Sequence, residues 1–170
     1  MASIWLGGPL LVAVCSLTVP AAAAAQNFNP LALSLALGPS PYDLSGTGTG
    51  FAVAAGLPWE PVAGLIVEPG VTFFTYSSQF ETRFNYLFPE LSVQAQLPRG
   101  RVRPFLGVGA GGAFVVSGPS ETVATLHAVG GVRVAIDATW GVRSELRVRA
   151  VRPWVGNTAD FLLGVSRRLR

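Results

Sequence analysis

The sequence predicts an all-β chain folded as an eight-stranded antiparallel up-and-down transmembrane β-barrel. Three observations carry this. Apolar residues alternate with small, polar or charged ones: Leu31, Leu33, Leu35 and Leu37 with Ala32, Ser34 and Ala36, and Leu91, Val93, Ala95 and Leu97 with Glu90, Ser92, Gln94 and Gln96. A period of two is the signature of a strand with one apolar face. Only 12% of the residues are charged and mean hydropathy is +0.47, which suits an apolar face turned to lipid and charges enclosed within a closed barrel. The alternating segments also recur between turn-type residues, and several match the roughly 9–11 residues that a tilted strand needs to cross a bilayer.

The first segment lies apart from this pattern. Trp5 to Val19 is apolar, Pro20 breaks the run, and Ala23-Ala24-Ala25 precedes Gln26. A short apolar stretch followed by small residues reads as a signal peptide, 1–25, cleaved to leave a barrel domain over 26–170. The n-region carries no Lys or Arg. The single cysteine, Cys15, falls inside this segment, so the expected mature chain has no disulfide and no cysteine metal site.

Eight strands follow, over 30–38, 49–57, 64–76, 85–97, 102–116, 123–136, 141–151 and 158–169. The stretch from Ala52 to Gly64 is apolar enough for a helix, but Pro58 and Pro61 cut it. Tight links are expected at Pro58–Ala63, Arg99-Gly100 and Asp137–Trp140. The polar stretches 38–48, 77–83, 117–122 and 152–158 read as longer loops. Short turns on one side and longer loops on the other match a barrel whose turns and termini are periplasmic. A two-residue hairpin at Arg99-Gly100 would set Pro98 against Arg101, Gln96 against Arg103, Gln94 against Phe105 and Ser92 against Gly107.

Alternation alone does not say which face points inward. The polar face carries Ala52, Ala54, Gly56, Gly70, Gly107, Gly109, Gly111, Gly131 and Gly164. Small residues mixed with a few charges suit the lumen of an eight-stranded barrel, which is wide enough only for its own side chains. Phe51, Phe73, Trp59, Trp140 and Trp154 fall near strand ends, where interfacial aromatics belong. Arg167 shares the outward face of the last strand, close to its end, where an exposed charge costs about 0–1 kcal/mol.

The expected lumen charges are Glu68, Glu90 and Glu145 with Arg103, Arg133, Arg143, Arg147 and Arg149, joined by Arg101. Buried charges must pair, and the arginine fork suits carboxylates. Counting from the turns sets Arg133 opposite Glu145, Glu68 at the periplasmic level of Arg103 and Arg133, and Glu90 at the outer level of Arg147 or Arg149. The rings of Phe74 and Phe105 are expected in the same lumen, and the expected role of the charges is a structural ion-pair plug.

Net charge is +3 and pI about 9.8, with all twelve basic residues arginine, yet several arginines alternate inside strands and form no surface patch for nucleic acid. Gly107, Gly109 and Gly111 lie within a strand and make no phosphate loop. His127, the single histidine, has no serine at short spacing downstream and no evident acidic orienter, and reads as a lumen or rim residue. No catalytic, cofactor or metal residue is therefore assigned.

"FPELSVQAQL", the short turn after it and "VRPFLGVGAGGAF" resemble paired strands of small bacterial outer-membrane β-barrel domains of the OmpA/OmpX-like and opacity-protein type. "GVRSELRVRAV" and "FLLGVSRRLR" resemble the last two strands of that group. The resemblance implies a Gram-negative cell outer membrane, lipid as the surrounding partner, and a C-terminal strand read by the outer-membrane assembly machinery. That family usually closes on an aromatic residue, whereas Leu169-Arg170 stands here. The expected function is an envelope-structural or surface-interaction role, without enzymatic activity, as a monomer. Two other readings remain open: a soluble lipocalin-like carrier of an apolar ligand, with Leu33, Leu91 and Leu146 inside, and a lipid-modifying outer-membrane enzyme using His127 and Glu90 at the outer rim.

Overall fold

The computed structural model describes residues 31–42, 48–77, 83–97, 100–116, 122–151 and 156–169. The expected signal peptide, Trp154 and most of the four polar loops lie outside the described residues. Nine strands follow in order: β1 (Ala32–Tyr42), β2 (Gly48–Gly56), β3 (Trp59–Val62), β4 (Leu65–Ser77), β5 (Arg83–Gln96), β6 (Val102–Val115), β7 (Thr122–Ala135), β8 (Trp140–Val151) and β9 (Gly156–Arg168). Every pairing is antiparallel. β1 joins β9 on one side and β2 on the other, and β2 pairs with β4, so eight strands close on themselves and leave no long edge.

The ninth strand is β3, which falls within the expected Pro58–Ala63 link. It extends the β2–β4 hairpin past the barrel rim. Pairing is to the start of β4, with a register shift between Trp59 and Val62, and Leu31 bridges to Trp59. Pro58 and Pro61, which argue against a helix here, are compatible with it, because a short peripheral strand has few ladder donors to lose. The hairpin turns at Gly64, whose φ of 84° is costly for residues with a Cβ.

Faces alternate as the sequence pattern requires. Leu106 is 70% exposed and Leu163 68%, whereas Arg149 and Asp160 are fully buried. A soluble carrier would reverse these values. Leu33, Leu91 and Leu146, which an apolar-ligand cavity needs inside, are all exposed on the outer face. Phe51 and Phe73 stand outward toward the loop end, and Trp59 and Trp140 toward the turn end. Arg167 is exposed beside Trp140, its guanidinium 5.5 Å from the ring centroid.

Two registers differ from the sequence expectation, each by two residues. At the β5–β6 link Gln96 faces Phe105, Gln94 faces Gly107 and Ser92 faces Gly109. Among the described residues the bond nearest this connection runs from the Leu97 amide to the Pro104 carbonyl, 3.0 Å, in the same shifted register. Pro104 has no N–H of its own to extend the ladder, and the β5–β6 pairs of the described residues end at Gln96 and Phe105. At the β7–β8 turn Arg133 faces Arg143, and Glu145 faces Gly131, not Arg133. Asp137 causes this: its Oδ1 accepts the amides of Thr139 (2.6 Å) and Trp140 (2.7 Å), drawing the turn centre one residue earlier. A shift of two preserves every face, so inward residues stay inward while their neighbours change.

Candidate functional site: the charge ladder in the lumen

The lumen holds an unbroken series of alternating charges. Arg133 meets Glu68 at 3.2 Å, and Glu68 meets Arg143 at 2.6 Å. Arg143 meets Glu145, which meets Arg147 at 2.8 Å. Arg147 then meets Glu90, Glu90 meets Arg149 at 3.2 Å, and Arg149 meets Asp160 at 2.8 Å. Four carboxylates thus match four guanidinium groups, and Glu68, Glu145 and Glu90 each bridge two arginines. Strand β8 supplies Arg143, Glu145, Arg147 and Arg149 at a spacing of two, so one inward face carries half of the ladder.

Neutral groups complete the coordination. Ser34 Oγ donates to Glu68 Oε1 (3.1 Å) and Gln94 Nε2 to Glu68 Oε2 (2.9 Å). Arg133 donates also to Gln96 Oε1 (3.0 Å) and Gln94 Oε1, and lies 4.0 Å over the Phe105 ring. Thr72 Oγ1 donates to Glu90 Oε1 at 2.7 Å, and Ser40 Oγ donates to Asp160 Oδ1. Satisfying the remaining lone pairs is what makes a buried ionic network tolerable, since desolvation alone costs several kcal/mol per ion.

Space for these heads comes from small neighbours. A Cβ built on Gly56 would sit 2.6 Å from Glu68 Oε1, and one on Gly109 would strike the His127 imidazole. Small residues opposite long ones are how a narrow barrel fills its taper. Beyond Asp160 the lumen becomes aromatic. Phe74, Phe88 and Tyr76 are buried with Tyr86 packed against them, ring centroids 5.9–6.4 Å apart, and Arg149 lies 4.3 Å over Phe88. This layer closes the loop-side half, while the turn end opens into a cavity of about 270 Å³.

The structure brings together Glu68, Glu90, Glu145, Arg133, Arg143, Arg147 and Arg149. Arg103 stands apart at the turn-end mouth, its Nε donating to the Gly100 carbonyl at 3.2 Å. Arg101 is exposed in the same connection and does not face the lumen. Both stand at the turn end, Arg103 as the second residue of β6 and Arg101 just before that strand. Asp160 is the carboxylate that sequence reasoning missed. Its signal was present, because Phe161, Leu163 and Val165 face outward and parity turns Asp160 inward. The aromatic layer was likewise missed except for Phe74.

His127 is buried, its Nδ1 3.3 Å from Glu90 Oε2 but without hydrogen-bond geometry. The pair lies within the lumen, not at an outer rim, so a lipid substrate in the bilayer would have no direct approach to it. No group of three or more metal-ligating side chains occurs among the described residues.

No family model matches the sequence, and no curated protein matches it. Solved structures do. Neisserial surface protein A (NspA) superposes with a TM-score of 0.66 at 17% identity, covering 84% of this chain and 98% of that one. The N-terminal β-barrel domain of Pseudomonas aeruginosa OprF gives 0.52 at 12% identity, covering 80% and 96%. Ail, the attachment invasion locus protein of Yersinia pestis, gives 0.51 at 13% identity, covering 82% and 99%. At such identities the likeness is one of fold, and the chain folds as the small eight-stranded outer-membrane β-barrels do.

Proposed function

We propose that this protein is a monomeric, non-enzymatic and non-conducting barrel of the bacterial outer membrane, with an envelope-structural or surface-interaction role. The observation that carries the reading is the contrast between the two faces. Exposed leucine and valine cover the outside, while alternating charges and an aromatic layer fill the inside. An outward aliphatic band is favourable in lipid and unfavourable in water. A lumen occupied by paired arginines and carboxylates leaves no continuous water path, so the ladder acts as a plug that holds the strands in register. The short turns and termini then face the periplasm, and the polar loops face outward, where a surface partner would meet them. Export through a cleaved signal peptide, and insertion by the outer-membrane assembly machinery reading the last strand, belong to the same proposal.

The test combines fractionation with electrical recording. The protein should partition with the outer membrane and require detergent for release. Purified monomer in planar bilayers should give no stable conductance steps. Recovery in the soluble periplasm without detergent would refute the membrane reading, and reproducible porin-sized steps would refute the plug.

A further inference from the structure

The register of β6, β7 and β8 places three arginines side by side on the inward face: Arg103 opposite Arg133, and Arg133 opposite Arg143. Like charges directly opposite each other on neighbouring strands are destabilising unless something lies between them. Between Arg133 and Arg143 that something is Glu68, at 3.2 and 2.6 Å. Between Arg103 and Arg133 there is no equivalent. No carboxylate of the described residues comes within ion-pair distance of Arg103, nor of Arg168 on the same cavity wall.

The ladder cannot spare a carboxylate for them, since its four acids already match its four arginines. Two acids, Glu60 and Asp137, also line the cavity, but each is directed to backbone amides and neither is within ion-pair distance of an arginine of the described residues. Glu60 Oε1 accepts the Gly64 amide at 2.8 Å, and Asp137 Oδ1 accepts those of Thr139 and Trp140. Arg103, Arg133 and Arg168 all line the turn-end cavity of about 270 Å³, which opens to solvent.

We propose that this cavity is an oxyanion site, in which a phosphate-type anion bridges Arg103 and Arg133 as Glu68 bridges Arg133 and Arg143. Arg168 adds a third positive charge on the wall. Guanidinium forks suit tetrahedral oxyanions because two parallel N–H donors meet two oxygens. The anion is a soluble phosphate species or the phosphate of a lipid headgroup reaching in from the adjacent leaflet. Placement on the periplasmic side rests on the orientation proposed above; the site itself does not.

The test uses the folded protein in zwitterionic detergent micelles, where membrane orientation has no influence. Inorganic phosphate is titrated at constant ionic strength against chloride, and arginine Nε–Hε signals are followed by NMR. A second titration adds phosphatidylglycerol to the micelles. The expected result is a saturable shift of the Arg103 and Arg133 signals. Arg103→Gln should weaken the affinity on the order of tenfold or more while leaving thermal unfolding unchanged. Arg101→Gln, outside the cavity, should bind as the parent does. Saturation by phosphate alone assigns a soluble ligand, and saturation by the lipid alone assigns a headgroup. Linear shifts with both probes, an equal response to chloride, or unchanged binding by Arg103→Gln would overturn the proposal.

Discussion

Replacing Glu145 by alanine should destabilise the barrel by about 3 kcal/mol, the low end of the range for removing one partner of a buried ion pair. The low end follows from the ladder. Glu145 is fully buried and bridges Arg143 and Arg147. Each arginine retains a second carboxylate: Arg143 keeps Glu68 at 2.6 Å, and Arg147 keeps Glu90. Neither guanidinium is left wholly uncompensated, but the lumen passes from charge balance to an excess of one positive charge. Glu145→Gln removes the same charge while keeping an acceptor, and should cost less. Arg101→Gln, at an exposed turn, should stay within about 0.5 kcal/mol. The assay is urea unfolding in detergent micelles, read by the gel mobility difference between folded and unfolded forms and by tryptophan fluorescence. Equal midpoints for Glu145→Ala and Arg101→Gln would show that the ladder contributes nothing to stability.

Gly56→Ala should destabilise by about 1–3 kcal/mol through overpacking, because the nearest atoms to its new methyl belong to the Glu68 and Ser34 side chains. The same change in a Glu68→Ala background should cost much less, and an undiminished cost in that double variant would place the strain in the backbone. Asp137 has its carboxyl held below the ordinary range by the amides of Trp140 and Thr139. A depressed folded value means that its contribution is present above the unfolded carboxyl pKa and is lost as pH falls through the folded one. The protection factors of the Thr139 and Trp140 amides, corrected for the intrinsic pH dependence of exchange, should therefore fall in acid for the parent. They should not change with acid in Asp137→Asn, and an identical acid profile of protection in both would refute the capping role.

Much of the architecture was legible because lipid and lumen impose opposite demands on alternate residues. The run from Glu90 to Leu97 fixes both faces of β5 without reference to any other strand. Parity is blind to slips of two, however, and both hairpins that depended on counting slipped by two. Turn chemistry bears on both registers, through the missing amide of Pro104 in one and the Asp137 side chain in the other. Ladder membership was legible for Glu68, Glu90 and Glu145 with Arg133, Arg143, Arg147 and Arg149, because a charge on an inward face has nowhere else to go. The identity of each partner was not, since it depends on register. Arg103 shows the cost: it stays on the inward face at the mouth, but Gln96, expected opposite it, faces Phe105. Asp160 was accessible by parity, and the neighbouring alternation of Phe161, Leu163 and Val165 points to it. The β3 extension falls in a stretch that reads as a tight link, and its four residues are too few to show a period of two.

The claim on which everything rests is that the leucine face meets lipid and the polar face meets the lumen. Single cysteines at Leu33, Ser34, Leu91 and Ser92, in a Cys15→Ser background, test it directly with a lipid-soluble maleimide on protein folded into vesicles. Folding of each variant is checked by the gel mobility shift. Labelling at positions 33 and 91, with protection at 34 and 92, is the predicted result. Labelling at 34 and 92 with protection at 33 and 91 would contradict the account and turn the barrel inside out.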